Sequence, residues 1–374
     1  MTMNANERYL LVVNCGSTTV KTKLYRHAGG RLAERFAGAS GIQSGYRSAI
    51  EGVLAGLPRR PDAIAHRVVH GADRFPEVVL VRPDTVDLLR EVVPLAPLHN
   101  GPALEGIEAT LPLGVPLVAA FDTAFHRTLP EVARRYALPP LPGVQRYGFH
   151  GWSHRWVTER YAELAGSPEP TIIILHLGGG CSAAAIKRGR SVDTSMGYSP
   201  LEGLVMGTRP GDLDPGILTH LLHEGMRPER LVTLLNHESG MLGVAGSADM
   251  RELLRRTDPG AELAVELFCY RARKYVGAYL AVLEGAEAVV FTGGIGERSA
   301  EIRRRVCAGL AWAGLTLEPD ANLANRDRIS SAASPLSAYV IPTDEERLIA
   351  REAISLLGWS SEADRRNDSV NPRT

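Results

Sequence analysis

The chain has 374 residues, of which 44% are hydrophobic and 22% charged, an average composition for a globular protein and long enough for two domains with sizeable cores. Lysine plus arginine and aspartate plus glutamate both number 42, so no bulk charge favours nucleic acid or an anionic membrane as partner. No apolar run approaches the roughly 20 residues that span a bilayer, and the start MTMNANERY lacks the basic-then-apolar layout of a signal peptide, so a cytoplasmic location is expected.

Leu10 to Asn14 is an apolar strand, Cys15 to Thr19 a small, hydroxyl-rich turn, and Val20 to Tyr25 alternates like a returning strand. Arg26 to Pro61 reads as a polar, glycine-containing connection with one helix, Tyr46 to Leu57. Ala63 to Gly71 is a strand whose end presents Arg67 and His70, followed by a helix from Pro83 to Val93. Leu95 to Pro102 carries two prolines and is expected to be a rigid loop. Pro116 to Phe121 is a strand that delivers Asp122 to His126 at its carboxyl end, where ligands bind in open α/β sheets.

The second half opens with Tyr147 to His154. His150 and His154 have the i, i+4 spacing of a zinc pair, but no glutamate separates them and the glycines beside them suggest a loop. Ile172 to Leu175 is a buried strand, Gly178, Gly179 and Gly180 can take positive φ in an anion-binding turn, and Ser182 to Ile186 returns as a second strand. Each half therefore starts with strand, small-residue turn, strand, which predicts a duplicated α/β domain with nucleotide phosphates held by the hairpin turns. Asp193 to Gly216 is a long loop dense in glycine and proline, of the kind that carries function. Helices are expected over 217–223, 228–236, 250–256 and 261–283, the last suited to core packing or a subunit interface. Asp249 stands at a helix start, as an N-cap would.

Ala288 to Thr292 runs into Gly293 to Glu297, a third strand ending in glycines ahead of a helix. Ala338 to Thr343 is a last strand, and Asp344 to Glu346 are either helix caps or Mg2+ ligands before a helix through Leu357. The tail beyond Trp359 is polar and expected to be disordered. The four cysteines, Cys15, Cys181, Cys269 and Cys307, are far apart and form no CxxC, against a disulfide scaffold or structural zinc. Cys15 and Cys181 fall in the two phosphate turns, as small residues in tight turns.

The ordered blocks VVNCGSTTVK, HRVVHG, APLHN, FDTAFH, YGFHGWSH, HLGGGCS, SPLEGLVMGTRPGDLDPG, SGMLGV, FTGGIGE and IPTDEE resemble the acetate kinase family, within the superfamily of acetate and sugar kinases, heat-shock ATPases and actin. The resemblance spans Tyr9 to Leu357. It implies an α/β fold of two duplicated actin-like ATPase domains, each with a ribonuclease H-like βββαβαβα core, and an active-site cleft between them. The domains would be 1–147, completed by a C-terminal helix over 346–358, and 148–345, with the nucleotide-binding and dimerisation surfaces.

The implied activity is reversible transfer of the ATP γ-phosphoryl to acetate, giving acetyl phosphate and ADP, with Mg2+ as cofactor and Mn2+ able to substitute. A carboxylate is already a nucleophile at neutral pH, so the reaction needs alignment and charge neutralisation and no base. Carried over to matching positions, Arg67 and Arg209 would bind the carboxylate and equatorial oxygens, His150 would hydrogen-bond the transferring phosphoryl with support from His99, and Asp122 would orient the pocket or metal. Asn14 and Glu345 would serve Mg2+. Val69, Leu98, Phe149 and Pro200 would form an apolar cup for the acyl group, in which one methylene changes binding by only about 1 to 3 kcal/mol, so that propionate should also react. Ser17, Thr19 and Lys21 match the first phosphate turn. His176, Leu177, Gly178, Gly179, Gly180, Asp249, Met250, Arg251, Gly293, Gly294, Ile295 and Gly296 match the nucleotide side. A homodimer through the second domain, and closure of the domains around substrate, are implied as well.

This sequence departs from the family pattern where Gly179 replaces an asparagine near the phosphates, Cys181 a serine, and Arg298 an asparagine beside the adenosine pocket; the segment 26–61 is also shorter than usual. Rival readings follow: pyrophosphate or another donor with the same acyl phosphate chemistry, a non-catalytic nucleotide-binding or regulatory protein, and a zinc hydrolase built on His150 and His154. Retention of Arg67, Asp122, His150, Arg209 and Glu345 favours the kinase.

Overall fold

The computed structural model describes residues 7–16, 19–43 and 45–359. Ser17 and the tail beyond Trp359 lie outside the described residues. The backbone divides into two units, one holding the residues up to Phe125 together with those from Asp344 onward, the other His126 to Thr343. The division precedes the residue 147 expected from the sequence because 126–147 is tied into the second unit: Thr128 Oγ1 donates to the Ser191 carbonyl, and Arg146 Nη1 to those of Thr194 and Ser195.

The first unit is built on β1 (Arg8–Cys15), β2 (Thr19–Ala28), β3 (Arg31–Gly41), α1 (Gly45–Ala55), β4 (Ala63–Val68), β5 (Val78–Leu80), α2 (Pro83–Val92), α3 (Pro97–Thr110) and β6 (Leu117–Phe121). The sheet order is β3-β2-β1-β4-β6-β5. β1 to β3 form an antiparallel meander, β4 and β6 add in parallel, and β5 closes the edge antiparallel. Leu10 to Val13 are almost wholly buried, as an unbroken apolar run in a central strand must be.

Two expectations change here. Residues 31–41, read as connection, form the edge strand β3; as an edge strand it needs few large apolar residues, and of its side chains Leu32 is buried while Phe36 packs against the core from a partly buried position. Leu95 to Pro102 is not a loop throughout: α3 starts at Pro97, where the missing N–H costs nothing, and continues past Pro102. Asn100 secures it, its Oδ1 accepting the His70 N–H at 2.9 Å and its Nδ2 donating to the His70 carbonyl at 2.8 Å, so the end of β4 and the first turn of α3 are held together.

The second unit contains α4 (Glu131–Arg134), α5 (Gly151–Ala165), β7 (Ile172–Leu177), β8 (Cys181–Lys187), β9 (Arg190–Thr194), α6 (Pro215–His223), α7 (Pro228–His237), α8 (Gly240–Ala245), α9 (Met250–Leu253), α10 (Pro259–Leu283), β10 (Ala288–Thr292), α11 (Gly293–Arg298), α12 (Ala300–Cys307), α13 (Pro319–Leu323) and β11 (Ser337–Val340). Its sheet order is β11-β10-β7-β8-β9, with β7 to β9 an antiparallel meander and β10 and β11 added in parallel. The first unit repeats this plan, since its β1 to β3 meander is likewise extended by two parallel strands. Ala183, Ala184 and Ala185 keep β8 thin enough for α10 to pack close. The C-terminal helix α14 (Glu345–Leu356) returns to the first unit, burying Leu348, Ile349, Ala353 and Ile354. Among the described residues no helix is long and apolar enough to cross a membrane.

Candidate active site

In the first unit, Arg67 leaves the end of β4 beside Asp122, the residue that follows β6. The guanidinium grips both carboxylate oxygens, Nε to Oδ1 at 2.8 Å and Nη2 to Oδ2 at 2.5 Å, while Nη1 reaches Glu345 Oε2 at 3.0 Å. An arginine has five N–H donors, so this arrangement fixes the fork and leaves two N–H groups for an anionic ligand. Burial pushes the Glu345 carboxyl up to about 7, opposed by the charge of Arg67 and reinforced by the nearby Asp122 and Glu346. Asp344 caps α14 through the Arg347 N–H and pairs with Lys23 at 3.0 Å. The acids at 344–346 thus divide their roles: Asp344 caps, and Glu345 turns to the arginine.

Asn14, next to last in β1, lies directly opposite Lys21 on β2, and the Gly16 N–H donates to the Thr19 carbonyl at 2.8 Å to close the turn. His99 lies in the first turn of α3, half-buried, next to the exposed Leu98; Val69 is half-buried after β4.

In the second unit, the hairpin turn Gly178 to Gly180 closes with the Gly178 N–H on the Gly180 carbonyl at 3.1 Å. None of its three glycines has positive φ, contrary to expectation; closeness rather than handedness bears on Gly178. A Cβ on Gly178 would lie 3.3 Å from the Gly180 carbonyl oxygen and 3.9 Å from the Gly294 nitrogen, so the turn abuts the start of α11. A Cβ on Gly180 would lie 3.4 Å from the His150 ring and 3.8 Å from Arg209 Nη1. Gly293 does require glycine: its φ is +75° and a Cβ would lie 2.7 Å from the Leu177 carbonyl oxygen.

Arg209 is held by backbone groups and by the Met206 sulfur, 4.0 Å from its Nη1. The Met206 N–H donates to its carbonyl at 3.1 Å, the Gly207 N–H reaches the Gly179 carbonyl at 3.1 Å, and its Nη1 donates to the Pro200 carbonyl at 3.3 Å. No carboxylate of the described residues pairs with it, and burial lowers its pKa from the ordinary guanidinium value. A half-buried cation without a counter-charge is a ready anion site.

His150 precedes α5 with φ +56°, after Gly148 at φ +75°. The strain is held by His126, whose ring nitrogens bond the Ser191 hydroxyl at 2.8 Å and the Phe149 carbonyl at 3.0 Å; burial keeps that ring neutral, lowering its pKa to about 4. The His150 ring stacks on His176 at 4.3 Å, and Ser153 Oγ bonds His176 Nδ1 at 2.7 Å. His150 and His154 do not share a metal geometry: both face Ser182 Oγ, at 3.0 and 2.7 Å, and no group of three or more His, Cys, Asp or Glu among the described residues could hold a metal ion.

Of the residues expected on the nucleotide side, Asp249 caps α9, accepting the Arg251 N–H at 2.8 Å and its guanidinium at 2.7 Å, which holds its carboxyl down to about 2. Arg251 is exposed and Asp249 half-buried, beside buried Met250. Ala248 Cβ, one residue before, lies 3.4 Å from where a Cβ on Gly207 would be, which joins this corner to the hairpin turn. Arg298 ends α11. Cys15 and Cys181 are buried and free, their thiols pushed up to about 12 by burial, which fits packing rather than reactivity.

Sequence reading missed Arg303. It is fully buried, with Nε on Asn322 Oδ1 at 2.7 Å and Nη1 on the Gly296 and Glu297 carbonyls at 2.8 and 2.9 Å. It anchors the carboxyl end of the glycine helix α11. The only signal was an arginine on the apolar stripe of α12, between Ile302 and Val306.

Two mixed sheets with repeated topology, one carrying a carboxylate-locked arginine and the other a glycine turn under a histidine and an uncompensated arginine, define a phosphotransferase of the two-domain actin-like ATPase fold. The acetokinase family matches residues 56–351, and the chain belongs to that family. It is 42% identical over 397 aligned positions to the acetate kinase of Dictyoglomus thermophilum, covering 93% of this chain and 99% of that one. The crystal structure of Porphyromonas gingivalis acetate kinase superposes with a TM-score of 0.84 at 38% identity, covering 94% of this chain and all of the other. A propionate kinase from Francisella tularensis also superposes at 0.84, with 35% identity and 92% and 98% coverage.

Proposed function

We propose that this chain transfers the γ-phosphoryl group of ATP to acetate, reversibly, giving acetyl phosphate and ADP. The observation that carries the reading is the meeting of the His150 ring and Arg209 Nη1 over Gly180, with no carboxylate on Arg209. Such a pair suits the equatorial oxygens of a phosphoryl group in flight: a guanidinium to take up charge and an imidazole N–H to hold orientation.

An acetate oxygen forms the new bond to phosphorus as the bond to the β–γ bridging oxygen breaks, and ADP departs with that electron pair. No proton is transferred. Arg67, with two N–H groups to spare, binds the acetate carboxylate or the phosphoryl oxygens; Asp122 and Glu345 hold the guanidinium in orientation. Val69, Leu98, Phe149 and Pro200 supply apolar contact for the methyl group, and His99 supports the transferring phosphoryl. Lys21 and Thr19 serve the first phosphate turn beside Ser17. The hairpin Gly178 to Gly180 and the N–H groups of Gly294 and Ile295 receive the nucleotide phosphates, with His176, Leu177, Gly293 and Gly296 shaping that floor and Asp249, Met250 and Arg251 the adenosine edge.

Glu345, Asp122 and Asn14 supply hard oxygen donors and few carboxylates, the set that Mg2+ takes while keeping several waters, and Mn2+ would be accepted too. Bound there, the ion would neutralise the polyphosphate. The protein acts in the cytoplasm as a homodimer; the exposed Leu263 and Tyr270 on α10 support an interface between copies in the second unit.

Hydroxylamine trapping of acyl phosphate, with purified protein, Mg2+ and acetate, tests the reading when run in parallel with ATP and with pyrophosphate. Acetyl hydroxamate with ATP and not pyrophosphate is expected, with propionate a slower acceptor. Product with pyrophosphate alone would reassign the donor, and no product with either would remove the kinase assignment.

A further inference from the structure

Ser182 lies on β8 with its side chain fully buried, and its hydroxyl oxygen touches two rings. His150 Nδ1 is 3.0 Å away and His154 Nε2 is 2.7 Å away. A hydroxyl has one proton and accepts in return, so it can donate to one ring only. The other ring nitrogen of His154, Nδ1, is buried with no hydrogen-bond partner.

That orphan decides the direction. Were Ser182 to donate to His154 Nε2, the His154 proton would sit on Nδ1, an N–H buried without an acceptor, the rarest and costliest kind of unpaired group. In the opposite arrangement His154 carries its proton on Nε2 and gives it to Ser182 Oγ, leaving only a bare ring nitrogen at Nδ1. The Ser182 proton then points to His150 Nδ1, and a ring that accepts at Nδ1 carries its own proton on Nε2. His154 stays neutral throughout, because burial lowers its pKa well below the ordinary value, helped by the neighbouring His126 and His176.

We infer that Ser182 and His154 are positioning residues that fix the tautomer of His150, through a hydrogen-bond chain from His154 Nε2–H to Ser182 and from Ser182 to His150 Nδ1, so that Nε2–H faces the reacting phosphoryl group. The inference rests on the role given to His150 under the proposed function. It also explains why two histidines at zinc-pair spacing hold no metal geometry: a serine hydroxyl occupies the point where their nitrogens converge.

The test is 15N NMR of histidine-labelled wild-type protein at pH 7.5, with His150 assigned by loss of its signals in His150→Gln. A fixed Nε2–H tautomer, with Nδ1 unprotonated, is expected; an Nδ1–H tautomer or an imidazolium in the wild-type spectrum would overturn the proposal. Ser182→Ala should release the tautomer and lower kcat by about 10- to 100-fold, the usual effect of losing an orienting partner, with KM for acetate and ATP changed less than about threefold. Ser182→Thr, which keeps the hydroxyl, should restore the wild-type His150 signals. Wild-type kcat and an unchanged His150 spectrum in Ser182→Ala would also overturn it. If the tautomer is as stated and His150→Gln keeps full activity, the chain of bonds stands and the role of His150 falls.

Discussion

Arg67 and Asp122 meet side-on, through two parallel hydrogen bonds of 2.8 and 2.5 Å, and the same guanidinium reaches Glu345 at 3.0 Å. One cation therefore serves two buried carboxylates and still has donors to spare. A lysine offers a point charge that cannot span both oxygens of Asp122 while reaching Glu345. Arg67→Lys is expected to lower kcat/KM for acetate by about 100-fold or more, roughly 2.7 kcal/mol of transition-state stabilisation. Steady-state kinetics with circular dichroism as a folding control would decide it, and a loss below threefold would take the fork out of the mechanism.

Arg209 differs in having no ion pair to lose. Arg209→Ala should cost about three orders of magnitude in turnover, as for other arginines that stabilise a transferring phosphoryl group, and leave thermal stability nearly unchanged. Retained turnover would remove Arg209 from the reaction.

Buried neutral histidines set a pH dependence of stability. His126 and His66 have folded pKa values lowered by burial, to about 4 and about 3, from an unfolded value near 6.5. Between those values the unfolded chain binds more protons than the native one, so this stability is fully present above about 6.5 and is lost as pH falls toward 4. For His126 the shift amounts to about 3 kcal/mol. Urea midpoints at pH 7 and pH 4.5 should diverge less in His126→Gln than in wild type; equal divergence would contradict the assignment.

Two glycines of the proposed phosphate floor should respond in opposite ways. A Cβ on Gly179 would meet nothing within 4 Å and its φ is not positive, so Gly179→Asn should fold with stability within about 0.5 kcal/mol of wild type. The added amide beside the phosphates should lower KM for ATP. Gly293→Ala combines a left-handed φ with a 2.7 Å clash on the Leu177 carbonyl and should lose about 2 kcal/mol or more. Chemical denaturation of both variants gives the comparison, and a stable Gly293→Ala protein would contradict the geometry.

Arg303→Met keeps much of the volume and removes every bond to the Gly296, Glu297 and Asn322 carbonyls. Leaving these buried acceptors unpaired should cost about 3 kcal/mol or more. Nucleotide affinity should fall as α11 loosens, which calorimetric titration with ADP would register; unchanged stability and affinity would refute the anchoring role.

Much of this was legible in the sequence because period and punctuation dominate central strands. Leu10 to Val13 and Ile172 to Leu175 are unbroken apolar runs and lie where such runs must. Edges and helix starts were harder. β3 is polar because an edge strand has little to bury, and α3 begins with the proline that suggested a loop. Candidate site residues could be named from ordered motifs, but not their partners: nothing in the spacing of Ser182 and His154 announces a shared hydroxyl, and the cage around Arg303 draws on Asn322, nineteen residues away.

The return of α14 to the first sheet has a consequence for synthesis. Ribosomes deliver a chain amino-terminus first, at about 5–20 residues per second. The strands of the first unit must therefore wait while all of 126–343 is made and can fold. Until residues 345–356 are made, Arg67 has Asp122 for company and lacks Glu345, and the sheet lacks the helix that covers it. The half begun first is finished last, so a stalled or truncated product carries a complete glycine turn and an uncovered, unfinished carboxylate site.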